Sequence, residues 1–216
     1  MDDGLSETND ETSLADDTYR LLLADILSAR LAGGSIVQQR RLASQHAVSR
    51  SPMRHALSRL EGEGLLVRNE KGVLCVRVIS LKDYLDGLTM RMLIEPTAAA
   101  LATPHVADVD VERLTSMLDA IDADPGPDPE IVWQFDDALH GCIADNSRNA
   151  FMKASICDMR RYTTIFERQM AVVRAKPGIS EHRAIVAALA ARDAEAARQA
   201  MSEHLDAVRQ GVLTNY

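Results

Sequence analysis

Apolar residues recur at intervals of three and four along most of the chain and alternate at two in only one place. From about Ala15 to Leu31, Tyr19, Leu22, Leu23, Ile26, Leu27 and Leu31 keep to one helical face, and Gly33-Gly34 ends the run. Residues 41–66 then read as two short amphipathic helices joined by a tight turn. Leu42, Ala43 and His46 mark one face of the first, and Met53, Ala56, Leu57 and Leu60 form the buried stripe of the second. Ser49 is placed to cap the second helix with its hydroxyl, and Ser51-Pro52 falls in the opening turn, where proline's missing N–H costs nothing. Leu65 to Val67 and Val73 to Val78 alternate as two strands around Asn69-Glu70-Lys71-Gly72, a hairpin turn. After Ser80 the alternation is gone. Helices fit 81–103, 108–122, 130–145, 148–174, 180–191 and 193–213, separated by Pro104, the Asp124–Pro129 segment, Asn146-Ser147 and Lys176-Pro177-Gly178.

This pattern predicts a mainly α chain in two domains. Three helices and a hairpin occupy 15–79, and an all-α bundle of six helices occupies 80–216. Residues 1–14 are polar and acidic with little to bury, and are expected to be disordered. Charge sharpens the division. The net charge of −8 conceals a basic module: residues 18–77 carry ten Lys/Arg against four Asp/Glu, and the excess of acids lies on either side. A basic module on an acidic body is the electrostatic footprint of a modular DNA binder. The second helix of the pair fits that role. Its first turn turns Arg50, Arg54 and hydroxyls outward while its stripe packs on a partner helix, which is what readout of the major groove requires. Lys71 and Gly72, at the hairpin tip, can approach a phosphate or the minor groove closely.

Three widely spaced cysteines with no CxxC pair point to free thiols in a reduced, cytoplasmic setting. No apolar run approaches the ~20 residues that span a bilayer, so no membrane partner is expected.

The run Leu-Ala-(x5)-Ser-Arg-Ser-Pro-Met-Arg-x-Ala-Leu-x-x-Leu-x-x-x-Gly-Leu, residues 42–65, resembles the winged helix-turn-helix signature of the GntR family of bacterial transcription regulators. The resemblance implies that Arg40, Arg50, Ser51 and Arg54 meet DNA, with Lys71-Gly72 in the wing. Which of them read bases and which hold phosphate stays open. The chain departs from the family at His55, where a glutamate is usual, and at Ala32-Gly33-Gly34-Ser35, where Pro-Gly is usual.

The stretch Arg91-Met92-Leu93-Ile94-Glu95-Pro96-x-Ala98-Ala99-x-Leu101-Ala102 resembles the opening of the FCD effector domain of FadR-type members, and six helices suit its VanR-type variant. Asp136 and His140 stand at i and i+4, on one face of a helix. His182 opens the next-to-last helix and His204 lies within the last. One carboxylate and three imidazoles suit a divalent transition metal, zinc first, with nickel, manganese or iron as other choices; they do not suit calcium or magnesium. Spacing alone leaves other readings open, since His204 between Glu203 and Asp206 can simply be solvated and Asp137 can replace Asp136. The resemblance implies the set Asp136, His140, His182 and His204, in that order along the chain.

The expected protein is not an enzyme. It is a ligand-responsive regulator, a repressor by resemblance, that binds a palindromic double-stranded operator as a homodimer. A small carboxylate or hydroxycarboxylate effector would bind the metal, with Arg91 clamping its far end. An i,i+4 ion pair with Glu95 is the other choice for Arg91, and Arg160 and Arg161 are further candidates. A metal-dependent hydrolase using the Asp/His cluster, with Glu181 or Asp137 as base, is the alternative; a purely structural ion is a third.

Overall fold

The computed structural model describes residues 4–169 and 178–215, with side chains over 13–169 and 178–214. It holds α1 (Gly4–Leu27), α2 (Gln39–Gln45), α3 (Arg50–Gly62), β1 (Leu66–Arg68), β2 (Leu74–Val76), α4 (Leu81–Ala102), α5 (Asp108–Ala123), α6 (Pro129–Asn146), α7 (Ala150–Gln169), α8 (Ile179–Ala190) and α9 (Ala194–Asn215). The part of the expected 148–174 helix from residue 170 onward, and Lys176-Pro177, lie outside the described residues. So do residues 1–3 of the acidic segment. Among the described residues two compact units form: one reaches to Leu81 and takes in 164–169, and the other holds the remainder.

In the first unit the apolar stripe of α3 is buried as its spacing demands, with Met53, Ala56, Leu57 and Leu60 at most 6% exposed. Leu22 and Ile26 of α1 and Leu42 and Ala43 of α2 are buried with it. Polar groups tie α1 to α3: the Tyr19 hydroxyl donates to Glu63 Oε2 at 2.7 Å, and the Arg59 guanidinium lies 3.7 Å from the centre of the Tyr19 ring. Strands β1 and β2 pair antiparallel with Val67 opposite Cys75, making the wing. Its turn is held by Asn69, whose Oδ1 accepts from the backbone N–H of Lys71 and Val73, both at 3.0 Å.

Gly72 sits at φ +73° with open space where a Cβ would stand. The requirement for glycine there is conformational, not steric. Gly72→Val is therefore expected to cost about 1–2 kcal/mol, read as a lower midpoint in urea unfolding, with the α3 stripe untouched.

Three local expectations need correction. First, α1 begins at Gly4 and not near Ala15, so the acidic segment continues the helix. No glycine or proline interrupts residues 5–32, and acids near a helix N-terminus are favoured by its dipole. Second, α1 stops at Leu27, four residues short of Leu31. The chain leaves through left-handed Ala29 (φ 58°), and Leu31 N–H closes on the Asp25 carbonyl at 2.9 Å, so Leu31 is buried without being helical. Third, Ser49 occupies the N-cap of α3 but its hydroxyl makes no cap bond. Such a hydroxyl bonds the N–H of the second or third helical residue; Pro52, the third, has none, which removes one of the two possible donors and leaves only that of Ser51.

The second unit is all helical. Its core includes Tyr84, Leu88, Leu114, Leu118, Phe135, Leu139, Ile185, Leu189, Met201 and Leu205, each at most 1% exposed. α4 runs unbroken through Pro96, giving up one backbone bond in a buried stretch. Arg183 joins α8 to α5 through Asp119 (2.7 Å) and Asp122 (2.8 Å), and Arg192 caps the end of α4 by donating to the carbonyls of Thr103 and Val106. The start of α6 is fixed by Asp128, whose carboxylate accepts from Glu130 N–H at 2.9 Å, followed by Pro129 in the first turn. That start sets the rotation that turns Phe135, Leu139, His140 and Ile143 inward.

Candidate metal centre and nucleic-acid surface

Asp136 and His140 from α6, His182 from α8 and His204 from α9 come together inside the second unit. Each offers one ligand atom, and these atoms lie within 4.8 Å of one another. Two ligands at about 2.1 Å from one ion lie roughly 3.0–3.4 Å apart when adjacent and at most ~4.2 Å apart when opposite, so the set must close by up to about an ångström to hold a single cation. All three histidines are at most 3% exposed. Asp136 Oδ1 faces the Nε2 atoms of both His140 and His182 at 3.6 Å. Those two Nε2 atoms are buried and have no hydrogen-bond partner. A buried polar atom left unsatisfied costs about 1–3 kcal/mol, and a metal ion removes that cost for both at once. His204 stacks at a tilt on His182, with ring centres 4.6 Å apart, and Phe135 meets the His182 ring edge-on at 5.1 Å.

The protonation states suit ligation. Burial, reinforced by His182 and His140, holds the His204 imidazole well below its ordinary value, which keeps it neutral and its lone pair available. Burial alone would raise the Asp136 carboxyl. The Arg160 guanidinium, with His140 and His182, outweighs it and holds Asp136 well below the carboxylate range. The Arg160 Nη2 atom donates to Asp136 Oδ2 at 2.9 Å and to Asp137 Oδ1 at 2.5 Å. Asp137 is thus a neighbour of the cluster through Arg160, and the four grouped ligands do not include it.

Arg91, expected to clamp an effector, is engaged one layer back. Its Nε donates to Glu95 Oε1 at 2.5 Å and its Nη1 to Thr163 Oγ1 at 3.0 Å, so the i,i+4 pair left open by the sequence is the one that forms. The other Glu95 oxygen meets Nδ1 of His140. Glu95 is held ionised: burial opposes this, but Arg91 and His140 outweigh it. Arg161 pairs with Asp158 on its own helix. Sequence reasoning missed Glu95 and Thr163 as parts of the site. The available signal was Glu95, an acid one turn beyond Arg91 on a face that continues into Ala98 and Ala99.

In the first unit, exposure and pairing sort the cations. Arg20, Arg30, Arg59 and Arg68 are ion-paired to Asp17, Asp25, Glu63 and Glu61, and Arg77 has a partner as well. Arg40, Arg41, Arg50, Arg54 and Lys71 are exposed, and their side chains have no ion pair or hydrogen bond among the described residues. Ser51 is half-buried at the start of α3, and Gly72 is exposed at the wing tip. The unpaired cations include every basic residue expected to touch DNA, plus Arg41.

Comparison with known proteins decides the family. The gntR family of bacterial regulatory proteins matches over residues 14–75, and the FCD domain over residues 86–207. The chain belongs to the GntR family. It is 30% identical over 203 residues to the HTH-type transcriptional repressor GlaR of Escherichia coli, covering 88% of this chain and 91% of that protein. It is 26% identical to the repressor RspR of the same organism, over 90% of this chain and 86% of that one. Its fold is that of E. coli McbR/YncC, with a TM-score of 0.80 at 20% identity, covering 94% of this chain and 98% of that one. A GntR-family chain of this composition is a DNA-binding transcription regulator with an effector domain, not an enzyme. The hydrolase alternative has no support: Asp137 is held by Arg160, and Glu181 accepts from the Ser180 hydroxyl. Among the described residues no helix is long and apolar enough to cross a membrane.

Proposed function

We propose that this regulator is a repressor whose effector domain carries a divalent transition metal on Asp136, His140, His182 and His204, and that a small carboxylate or hydroxycarboxylate bound at that metal releases it from DNA. The observation that carries the reading is the pair of buried, unpartnered Nε2 atoms facing one carboxylate oxygen. Three imidazoles and a single carboxylate favour zinc, nickel, manganese or iron over calcium or magnesium. The metal supplies a Lewis-acid point that takes an anionic oxygen in place of water.

Charge supports an anionic effector. Glu95 and Asp136 offset Arg91 and Arg160, so a divalent ion adds positive charge beyond those pairs, with Asp137, more than half exposed, as a further acid beside Arg160. In a low-dielectric interior that excess attracts a carboxylate strongly. The arginine facing such a ligand is best sought in Arg160, whose guanidinium already spans Asp136 and Asp137, with Arg91 acting from behind. The exposed cations Arg40, Arg50, Arg54 and Lys71, with Ser51 and Gly72, form the operator surface. One winged helix covers a half-site, so two copies related by a two-fold axis bind a palindromic operator in the cytoplasm. The ligand shifts occupancy of DNA by binding one arrangement of the dimer better than the other.

Elemental analysis of the purified protein tests this reading. Roughly one transition metal per chain is expected, lost in Asp136→Ala and in His204→Ala, with operator release by small carboxylates only when the metal is present. Metal-free protein after growth and reconstitution with zinc, nickel, manganese and iron would overturn the metal centre. A metal that raises the unfolding midpoint but leaves ligand response unchanged would make the ion structural.

A further inference from the structure

We propose that Glu95 is the positioning residue of the metal centre: it fixes which nitrogen of His140 faces the metal. The inference rests on the metal reading above and goes beyond the four ligands. The two nitrogens of His140 have opposite surroundings. Nδ1 meets Glu95 Oε2, whereas Nε2 is buried without a partner, 3.6 Å from Asp136 Oδ1. A neutral imidazole carries one N–H and one lone pair, and an ionised carboxylate only accepts. Glu95 therefore demands the N–H at Nδ1, and the lone pair is left at Nε2, on the side of His182 and His204.

Glu95 is itself held. It is 1% exposed, and its other oxygen takes Nε–H of Arg91 at 2.5 Å, while Arg91 Nη1 donates to Thr163 Oγ1 at 3.0 Å. The Thr163 hydroxyl in turn donates back to the Arg160 carbonyl at 3.1 Å on α7. The chain Thr163–Arg91–Glu95–His140 joins α7, α4 and α6 and ends at a ligand. A carboxylate behind a metal-bound histidine also raises the basicity of the ligating nitrogen. Arg91 thus acts through Glu95, which explains why it is buried and paired and not open toward an effector.

Two readouts test the assignment. In the metal-free, full-length protein, long-range proton–nitrogen spectra of the imidazoles are expected to show His140 as a single tautomer with its proton on Nδ1. A proton on Nε2, or a mixture, would overturn the proposal with no variant needed. In Glu95→Gln, zinc affinity measured by chelator competition is expected to fall about 10–100-fold, with mixed His140 tautomers. Zinc bound as tightly as by the wild type would overturn it. Should Glu95→Gln leave Arg91 unpaired and unfold the chain, Arg91→Gln/Glu95→Gln restores neutrality and is expected to show the same affinity loss. A wild-type protein that binds none of zinc, nickel, manganese and iron would overturn the metal reading itself, and the tautomer spectrum tells that failure apart from failure at Glu95; should another of these metals bind in place of zinc, the competition is run with that metal.

Discussion

Replacing His182 with alanine is expected to empty the metal centre and abolish the response to effector while operator binding survives. His182 supplies one of the two Nε2 atoms seen facing Asp136 Oδ1 among the described residues, and it stacks on His204, so its removal is expected to delete one proposed ligand and loosen a second. Losing a group behind a ligand already costs about 10–100-fold in metal affinity, so losing the ligand should cost more. The measurement is metal content after dialysis, together with operator release as candidate carboxylates are titrated in. Full occupancy in the variant would mean that the ion sits elsewhere. An empty site with normal ligand release would separate the effector from the metal and leave Arg160 to bind it.

Arg54→Ala is expected to remove most of the preference for operator over random DNA. Arg54 is exposed in the first turns of α3, unpaired among the described residues, with the helix anchored behind it by Pro52, Met53 and Leu57. A bidentate arginine–guanine contact is worth about 1–3 kcal/mol of discrimination, and a two-fold operator contains it twice. Specific affinity should therefore fall by one to several powers of ten, while the unfolding midpoint and metal content stay as in the wild type. The same assay with Arg59→Ala gives the contrast. Arg59 is tied to Glu63, Asp16 and the Tyr19 ring, so its loss should lower stability and leave sequence preference alone. An unchanged footprint for Arg54→Ala would remove Arg54 from the reading surface.

How much of this was legible beforehand depended on the kind of signal. The helices of the second unit follow from long runs at three- and four-residue spacing, and their observed bounds fall within about two residues of the expected ones wherever both are described. Burial of Met53, Ala56, Leu57 and Leu60 was legible for the same reason. Single-residue chemistry was harder. Ser49 looked like a capping serine because its type fits, but its hydroxyl makes no cap bond, and Pro52 takes away one of the two N–H groups it could have met. The end of α1 depended on Ala29 taking a left-handed conformation, which alanine gives no reason to expect. At the metal cluster, ligand chemistry narrowed the candidates to histidine and acid, but spacing left Asp137 and a solvated His204 open, and it was the resemblance to the FCD domain that implied the four groups. The layer behind them was not legible: Arg91 and Glu95 at i,i+4 describe a surface ion pair as well as a buried one. Only the packing of α4 with α6 and α7 tells the two apart.

The division of the basic residues into paired and unpaired sets bears on how binding should respond to salt. Ten Lys/Arg lie in residues 18–77, yet four are already ion-paired within the protein and bring little fresh charge to a DNA backbone, and a fifth, Arg77, also has a partner. Each phosphate neutralised by a protein cation releases condensed counterions and steepens the fall of log K with log salt by about 0.9. With Arg40, Arg41, Arg50, Arg54 and Lys71 available in each copy of the proposed dimer, the slope is expected to be bounded at about −9. Had all ten cations been free, that bound would double. The acids that lock α1 and the wing in place thus also hold down adhesion to random sequence, and leave more of the operator's advantage to contacts that depend on the bases.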